Sequence, residues 1–426
     1  MLYQGMTNFM KLLIVPKPLF TTEMFTEGYL MSAQYGNAIL ESTKSNPLDR
    51  AMDSPFIDFM NEIGLDTLTQ NKPVFIPVTQ IQLATELSRD ITEDPANITF
   101  LLDDGIAPDK LSLERCEYFT SLGYTFAKKY NGKMEDIEAF MPYVSYAFLT
   151  IPPTKMVVAS TLIKKAFPDI KIVGMDIEER PAFDQIVMAR DCKIDMFAGP
   201  FYKVHIPNKT KQNALSPLKT NYIQLLNIVN QEDFDFQAFT RTVRQDTALA
   251  IQFMKLVNTA NKARTEIKNL NQAAAMLGQR EIKKWVSTAV ANSLNDSGPT
   301  EITRLSLVRA KFCENLAPNF DLAVVQENLF LMGLFSVLDV VLDIPIEEAF
   351  KMVFVPEPIS DALVHKKGDY YEILDFVQQY ELAHWKEISR VSLVRNIGID
   401  VIHQAYKGAL LWYSALINVD VAHEGI

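Results

Sequence analysis

The stretch YTFAKKYNG (124–132) reads as a β-strand that ends in two adjacent lysines, Lys128 and Lys129. In α/β proteins the carboxyl ends of the strands are where reacting side chains gather. Two ammonium groups at such a place can neutralise an anion or pair with carboxylates, and they oppose a metal cation. Other chemistry has little signature. The five histidines, His205, His365, His384, His403 and His423, include no H-E-x-x-H, no pair at metal-motif spacing and no His-Asp dipeptide. The chain contains no G-x-G-x-x-G, no Walker A loop and no G-x-S-x-G elbow, so neither nucleotide cradling nor serine hydrolysis is indicated.

The elements that must position these lysines fall into two halves. A chain of 426 residues is too long for one ordinary core, and two domains of about 200 residues are expected. Up to about residue 207, β-rich runs alternate with helical segments: KLLIVPKPLF, PVFIPVT, ITFLLDD, YTFAKKY, VSYAFLTI, KIVGMDI and IDMFAGPFY. That alternation is the pattern of a parallel sheet with crossover helices, and about seven strands favour a closed barrel. NKTKQNALSPLK (208–219) reads as a linker, and beyond it the strand signal vanishes. In DTALAIQFMKLVNTA, Leu249, Phe253, Leu256 and Ala260 recur at the spacing of one helix face. Asn269 resembles the start of a capping box, and Leu277-Gly278 reads as a helix stop. Further helices are expected in EIKKWVSTAVANSL, NLFLMGLFSVLDVVLD, YYEILDFVQQYELAHWKEISR and VIHQAYKGALLWYSALI.

Composition narrows the function classes. With 48% hydrophobic and 22% charged residues the chain is that of a folded protein. A net charge of −11 argues against general nucleic-acid binding, and the pairs Lys164–Lys165, Lys283–Lys284 and Lys366–Lys367 read as solvated helix faces. Cys116, Cys192 and Cys313 have neither disulfide nor metal spacing, which fits a reducing cytoplasm. The first twenty residues, interrupted by Lys11, Pro16 and Lys17, lack the pattern of a signal peptide. The run at 328–343 is broken by Asp339 and falls short of the roughly 18 apolar residues of a membrane span, so it is expected to be one core helix.

On these residues the N-terminal half resembles an EAL domain, the barrel family that hydrolyses cyclic di-GMP. The C-terminal half resembles an HDOD domain, the non-catalytic helical relative of HD phosphohydrolases. The pairing is a bacterial signalling architecture that covers nearly the full length. The family pattern like Y-E-L-L-F-R supplies a metal-binding Glu and a phosphate-holding Arg, and the matching stretch Tyr29–Gln34 puts Leu30 and Gln34 in those places. Pro77 stands where a metal-binding Asn is usual, and only Asp103 and Asp104 are available near the third-strand Glu. Where L-D-D-F carries the Asp pair, this chain has Lys128 and Lys129. VSYAFLTI holds no lysine, although the family uses one near the attacking water. The V-E-T-like element survives as Ile177-Glu178-Glu179, so Glu178 keeps a ligand position, and F-Q-G-Y becomes Phe197-Ala198-Gly199-Pro200, replacing Gln by Ala198.

Two-metal hydrolysis needs several converging carboxylates to hold Mg²⁺ or Mn²⁺ and to lower the pKa of a bound water. Two ammonium groups about 4 Å from such a cation would repel it by several kcal/mol even at an effective dielectric near 20. In the HDOD half, Asp246-Thr247-Ala248-Leu249 and Asn258-Thr259 match D-P-x-L and N-S with small departures, and the vestigial HD position falls at Ser336-Val337. Plain structural roles are expected there: Asp246 as a helix cap, Asn258 as a hydrogen-bonding residue, and Leu249, Phe253 and the tryptophans Trp285, Trp385 and Trp412 as core.

The resemblance therefore implies an α/β plus all-α chain: a degenerate EAL (β/α) barrel over 1–207, a linker at 208–219 and a helical HDOD domain over 220–426. It implies a cytoplasmic, non-catalytic signalling protein in cyclic di-GMP-related control of motility or biofilm formation, with protein partners, no cofactor, no membrane and a homodimer through the EAL domain. Two alternatives stay open. One is a metal-independent cyclic di-GMP receptor using Lys128 and Lys129; the other is an active phosphodiesterase rebuilt on Asp103, Asp104, Glu178 and Glu179. The bland reading is that the two lysines pair with Glu178, Asp103 or Asp104 and stabilise the strand ends.

Overall fold

The computed structural model describes residues 12–41, 55–85, 87, 91–203, 217–231, 233–260, 267, 269–293 and 300–421. The strands are β1 (Leu12–Phe20), β2 (Thr26–Tyr35), β3 (Val74–Val78), β4 (Ile98–Leu102), β5 (Thr125–Tyr130), β6 (Val144–Leu149), β7 (Lys171–Gly174) and β8 (Met196–Ala198). They close into a barrel in sequence order. Pairs from β2 to β8 are parallel, whereas β1 is antiparallel to both β2 and β8. The alternation of strands and helices anticipates the barrel but not its first hairpin. Only Thr21–Phe25 separate β1 from β2, too short for a crossover, so the two strands must turn back on each other. β2, absent from the seven runs read as strands, is the eighth.

The barrel interior is fixed by side-chain alternation. Leu19, Leu30, Phe75, Leu101, Ala127, Phe148, Val173, Met196 and Ala198, with at least one from each of the eight strands, form a single buried cluster. A cluster fed by every strand of a closed barrel is its lumen, so residues two positions along each strand share that side and their neighbours face the outer helices. At the end of β8, Gly199 has φ 147°, and a Cβ there would lie 2.0 Å from the Ile177 carbonyl oxygen. Only glycine fits that close approach.

Residues divide into two compact units. One holds the described parts of 1–204, 318–323 and 375–426; the other holds those of 205–317 and 324–374. The helices after residue 374, which the sequence reading placed with 220–426, thus cluster with the barrel. The reason lies in β1. β8 reaches only Leu19 and Phe20, leaving the rest of that edge without a neighbouring strand. In an antiparallel strand alternate residues turn both backbone polar groups to one side, and Ile14 shows which side is open. Its N–H donates to the Tyr380 hydroxyl (3.1 Å), which donates in turn to the Ile14 carbonyl (2.9 Å). His403 Nδ1 lies 2.8 Å from the Leu12 carbonyl. Pro16 and Pro18 fall in the same alternate set and carry no N–H to orphan. The edge is satisfied by side chains from the C-terminal helices and by prolines rather than by a ninth strand.

The helical unit includes α1 (Thr247–Ala260), α2 (Leu270–Ser293), α3 (Thr300–Leu316), α4 (Gln326–Phe335) and α5 (Leu338–Leu342). Asp246 caps α1 by accepting from the Leu249 N–H (3.1 Å), and Asn258 bridges to both backbone groups of Ile267 (2.8 and 3.0 Å). The buried stripe of α1 is Leu249, Phe253 and Val257; Leu256 is half-buried, and the side chain of Ala260 lies outside those described. Gly278 breaks α2 at φ 79°, ψ 160°, a region open to glycine, so the stop read at Leu277-Gly278 separates two helical segments. The single core helix expected over 328–343 is two. It breaks at Ser336-Val337, where the Ser336 hydroxyl donates to the Gly333 carbonyl (2.5 Å) and Val337 leaves helical geometry at φ −126°. Lys366 and Lys367 lie in a loop rather than on a helix face, and residues 208–216 of the expected linker lie outside the described residues. Among the described residues no helix is long and apolar enough to cross a membrane.

Candidate functional site

The site is the mouth of the barrel at the carboxyl ends of β2 to β8. Alternation places Leu30 and Gln34 on the lumen side of β2, Pro77 on that of β3, Lys129 on that of β5 and Ala198 on that of β8. Leu30 and Ala198 are buried in the apolar cluster, Pro77 is half-buried, and the Gln34 amide donates to the Tyr35 carbonyl (2.9 Å). The residues singled out on six strands or strand ends therefore do not all converge.

Adjacent residues of a strand face opposite sides, and this separates the two lysines. Lys129 follows Ala127 on the lumen side; its Nζ lies 3.2 Å from Asp103 Oδ1 and 3.9 Å from Asp104 Oδ2. Lys128 faces the outer helices, 3% exposed, donating to the Asp103 carbonyl oxygen (2.7 Å) with its ammonium 5.2 Å from the Phe140 ring centre. Its charge is also felt at Cys116, where burial pushes the thiol up to about 12 against the pull of Lys128. The two ammonium groups thus reach Asp103 from different sides of β5, Lys129 at its carboxylate and Lys128 at its backbone carbonyl.

Burial raises the Asp103 carboxyl, but the Asp104 N–H and the two lysines outweigh it and hold its pKa below the ordinary carboxylate value. Of the pairings weighed for these lysines, the ones formed are with Asp103 and Asp104. Glu178 stands exposed in the loop after β7, away from either.

A further lumen-side cation enters from β1. Lys17 lies two residues from Leu19 and opposite Leu30 in the hairpin register. Burial pulls its amine below the ordinary lysine value, with Asp176 opposing and Lys203 adding to the shift. Lys203 is itself paired to Glu381 at 3.1 Å. The sequence reading took Lys17 only as a break in an apolar run; its distance of two from Leu19 was the signal that would have placed it inside.

In the helical unit, Ser336 accepts from Arg309 Nη1 at 2.7 Å, so a guanidinium sits at the vestigial HD position. Arg304 and Glu301, both buried, pair at 3.0 Å nearby on α3. Among the described residues no three His, Cys, Asp or Glu side chains are grouped to hold a metal ion. At the barrel mouth, Asp103 and Asp104 are both held by the Lys129 ammonium, an arrangement that does not fit a divalent cation.

Comparison with known proteins agrees with this division. Residues 215–346 match the HDOD domain model, so the C-terminal half carries an HDOD domain. The chain is 25% identical over 419 residues to uncharacterized protein YuxH of Bacillus subtilis, covering 96% of this chain and 100% of that one. It is likewise 25% identical over 402 residues to cyclic di-GMP phosphodiesterase CdgJ of Vibrio cholerae, covering 94% and 91%. Among solved structures it is similar to the EAL enzyme Bd1971 bound to cAMP and cyclic di-GMP, at 12% identity and a TM-score of 0.33, over 45% of this chain and 61% of that one. A closed eight-stranded barrel followed by an HDOD domain is the architecture.

Proposed function

We propose that this is a non-catalytic signal-transduction protein of cyclic di-GMP pathways, acting through protein–protein contacts in the control of motility or biofilm formation. The observation that carries the reading is the Lys129 ammonium held between Asp103 and Asp104 at the barrel mouth. Hydrolysis of a phosphodiester by a metal-bound water needs those carboxylates free to converge on cations. Here a cation of the chain itself occupies them, and Pro77 and Ala198 offer no donor side chain on the neighbouring strands. The association with cyclic di-GMP rests on the EAL-like and HDOD domains together and on the name of the Vibrio cholerae relative.

A second reading is favoured by Lys17 and Lys129, two lumen-side cations at the mouth: a receptor that binds cyclic di-GMP without metal. Isothermal titration of the full chain with cyclic di-GMP, with and without Mg²⁺ or Mn²⁺, separates the readings when the same samples are assayed for linear product. No heat and no product is the result expected of the scaffold. Saturable binding that resists EDTA, makes no product and is lost in Lys129→Glu would establish the receptor instead. Metal-dependent product abolished by Glu178→Ala would overturn both.

A further inference from the structure

The pair Lys283–Lys284 does not lie on a solvated face. It borders a shallow, open cleft with a volume of about 10 Å³ between the second segment of α2 and the first two turns of α4, lined by Arg280, Lys283, Lys284, Ser287, Glu327, Phe330 and Leu331. Arg280, Lys283 and Lys284 stand at i, i+3 and i+4 of one helix, an arrangement of like charges that costs helix stability unless something answers it. Two carboxylates answer part of it. Glu327 pairs with Arg280 at 2.9 Å, and Glu314 takes Lys284 at 3.1 Å together with Lys311 at 2.8 Å.

That leaves four cations against two anions. Lys283 is half-buried and makes no ion pair among the described residues; burial pulls its amine below the ordinary lysine value, with Glu327 opposing the shift in part. The floor of the cleft, Phe330 and Leu331, is fully apolar and about 2% exposed or less, which strengthens any electrostatic contact made above it.

We propose that this cleft of the HDOD domain binds the phosphate group of a small soluble ligand, with Lys283 as its anchoring cation. An oxyanion seated there would pair the desolvated ammonium and complete the charge balance of α2. The cleft has room for about one oxygen of a phosphate group, so the rest of the group and any larger ligand would extend into solvent.

The test is calorimetric titration of the full chain with inorganic phosphate at low ionic strength, with chloride at matched ionic strength as the control and a nucleoside monophosphate in parallel. Saturable phosphate binding that weakens at least tenfold in Lys283→Gln, but not in Lys110→Gln on the exposed face of the barrel unit, is expected. The monophosphate arm tells whether the group bound is free or esterified, both being the oxyanion named. Lys283→Met guards against a folding defect: its melting temperature should match or exceed that of the wild type without phosphate and fail to rise with it. Absence of saturable binding, or equal binding by Lys283→Gln, overturns the proposal.

Discussion

The dipeptide Lys-Lys at the end of β5 and the same dipeptide on α2 meet different fates. On the strand, successive side chains point to opposite faces, so Lys129 reaches the lumen side and two carboxylates while Lys128 is sealed against Phe140 beneath the outer helices. On the helix, neighbours are about 100° apart, so Lys283 and Lys284 share one cleft and compete for its carboxylates. The strand lets the two lysines take different groups of Asp103, its carbonyl and its carboxylate, and the helix leaves one lysine without an ion pair among the described residues. A pair of like charges is thus harmless or a candidate site according to the period of the element that carries it.

The comparison is sharpest at Lys128. Reversing a buried, hydrogen-bonded charge is expected to cost about 3–5 kcal/mol, so Lys128→Glu should lower the denaturant midpoint sharply or prevent folding, measured by chemical unfolding. If Lys128→Glu were tolerated as a surface change is, the assignment of Lys128 to the outer, buried face would be wrong.

Next in size is the β1 edge, which obeys the same period of two in its backbone groups. Tyr380→Phe removes a hydroxyl that serves both polar groups of Ile14, and a loss of about 2 kcal/mol is expected, with faster hydrogen exchange at the Ile14 amide. An unchanged exchange rate would break the claim that the C-terminal helix closes this edge.

Lys129→Ala should cost less than about 1 kcal/mol, because its ion pair is half-exposed. Its pH dependence is the more telling readout. The folded Asp103 carboxyl lies below its ordinary value, so the contribution is present above the unfolded carboxylate pKa and is lost as the pH falls through the folded value. The wild type should therefore lose more stability than Lys129→Ala between about pH 5 and 2. Parallel acid titrations of stability would sink the pairing.

The smallest effect, and the one of opposite sign, belongs to α2. Lys283→Met should leave stability unchanged or raise it slightly in phosphate-free buffer, since it removes a desolvated cation that has no ion pair. A marked destabilisation would show that Lys283 is already satisfied and that the two lysine pairs do not differ as described.

The residue order alone carried much of this. Short, nearly continuous apolar runs alternating with helical segments announce the barrel strands, and the switch to a 3.6-residue period announces the helical unit. The helix cap at Asp246 and the break at Gly278 are local, because each depends on one side chain or one backbone torsion within a few residues. The anchoring of Asn258 to Ile267 is nearly so. Leu30, Gln34, Pro77, Lys129 and Ala198 could be set on one side of their strands from the spacing to apolar neighbours, and Lys17 could have been found in the same way.

What the order of residues could not contain is which distant chain ends meet. Tyr380 completes a strand that lies 366 residues earlier, and His403 reaches Leu12 across 391 residues. Burial of Lys128 depends on Phe140 and the Asp103 carbonyl arriving over one face of β5, and the surplus charge at Lys283 depends on which carboxylates α3 and α4 bring to it. Local pattern fixes the period and the facing of each element, because those follow from torsions between neighbours. Pairing, desolvation and the balance of charge are sums over groups that only folding brings together, so the tertiary structure alone decided them.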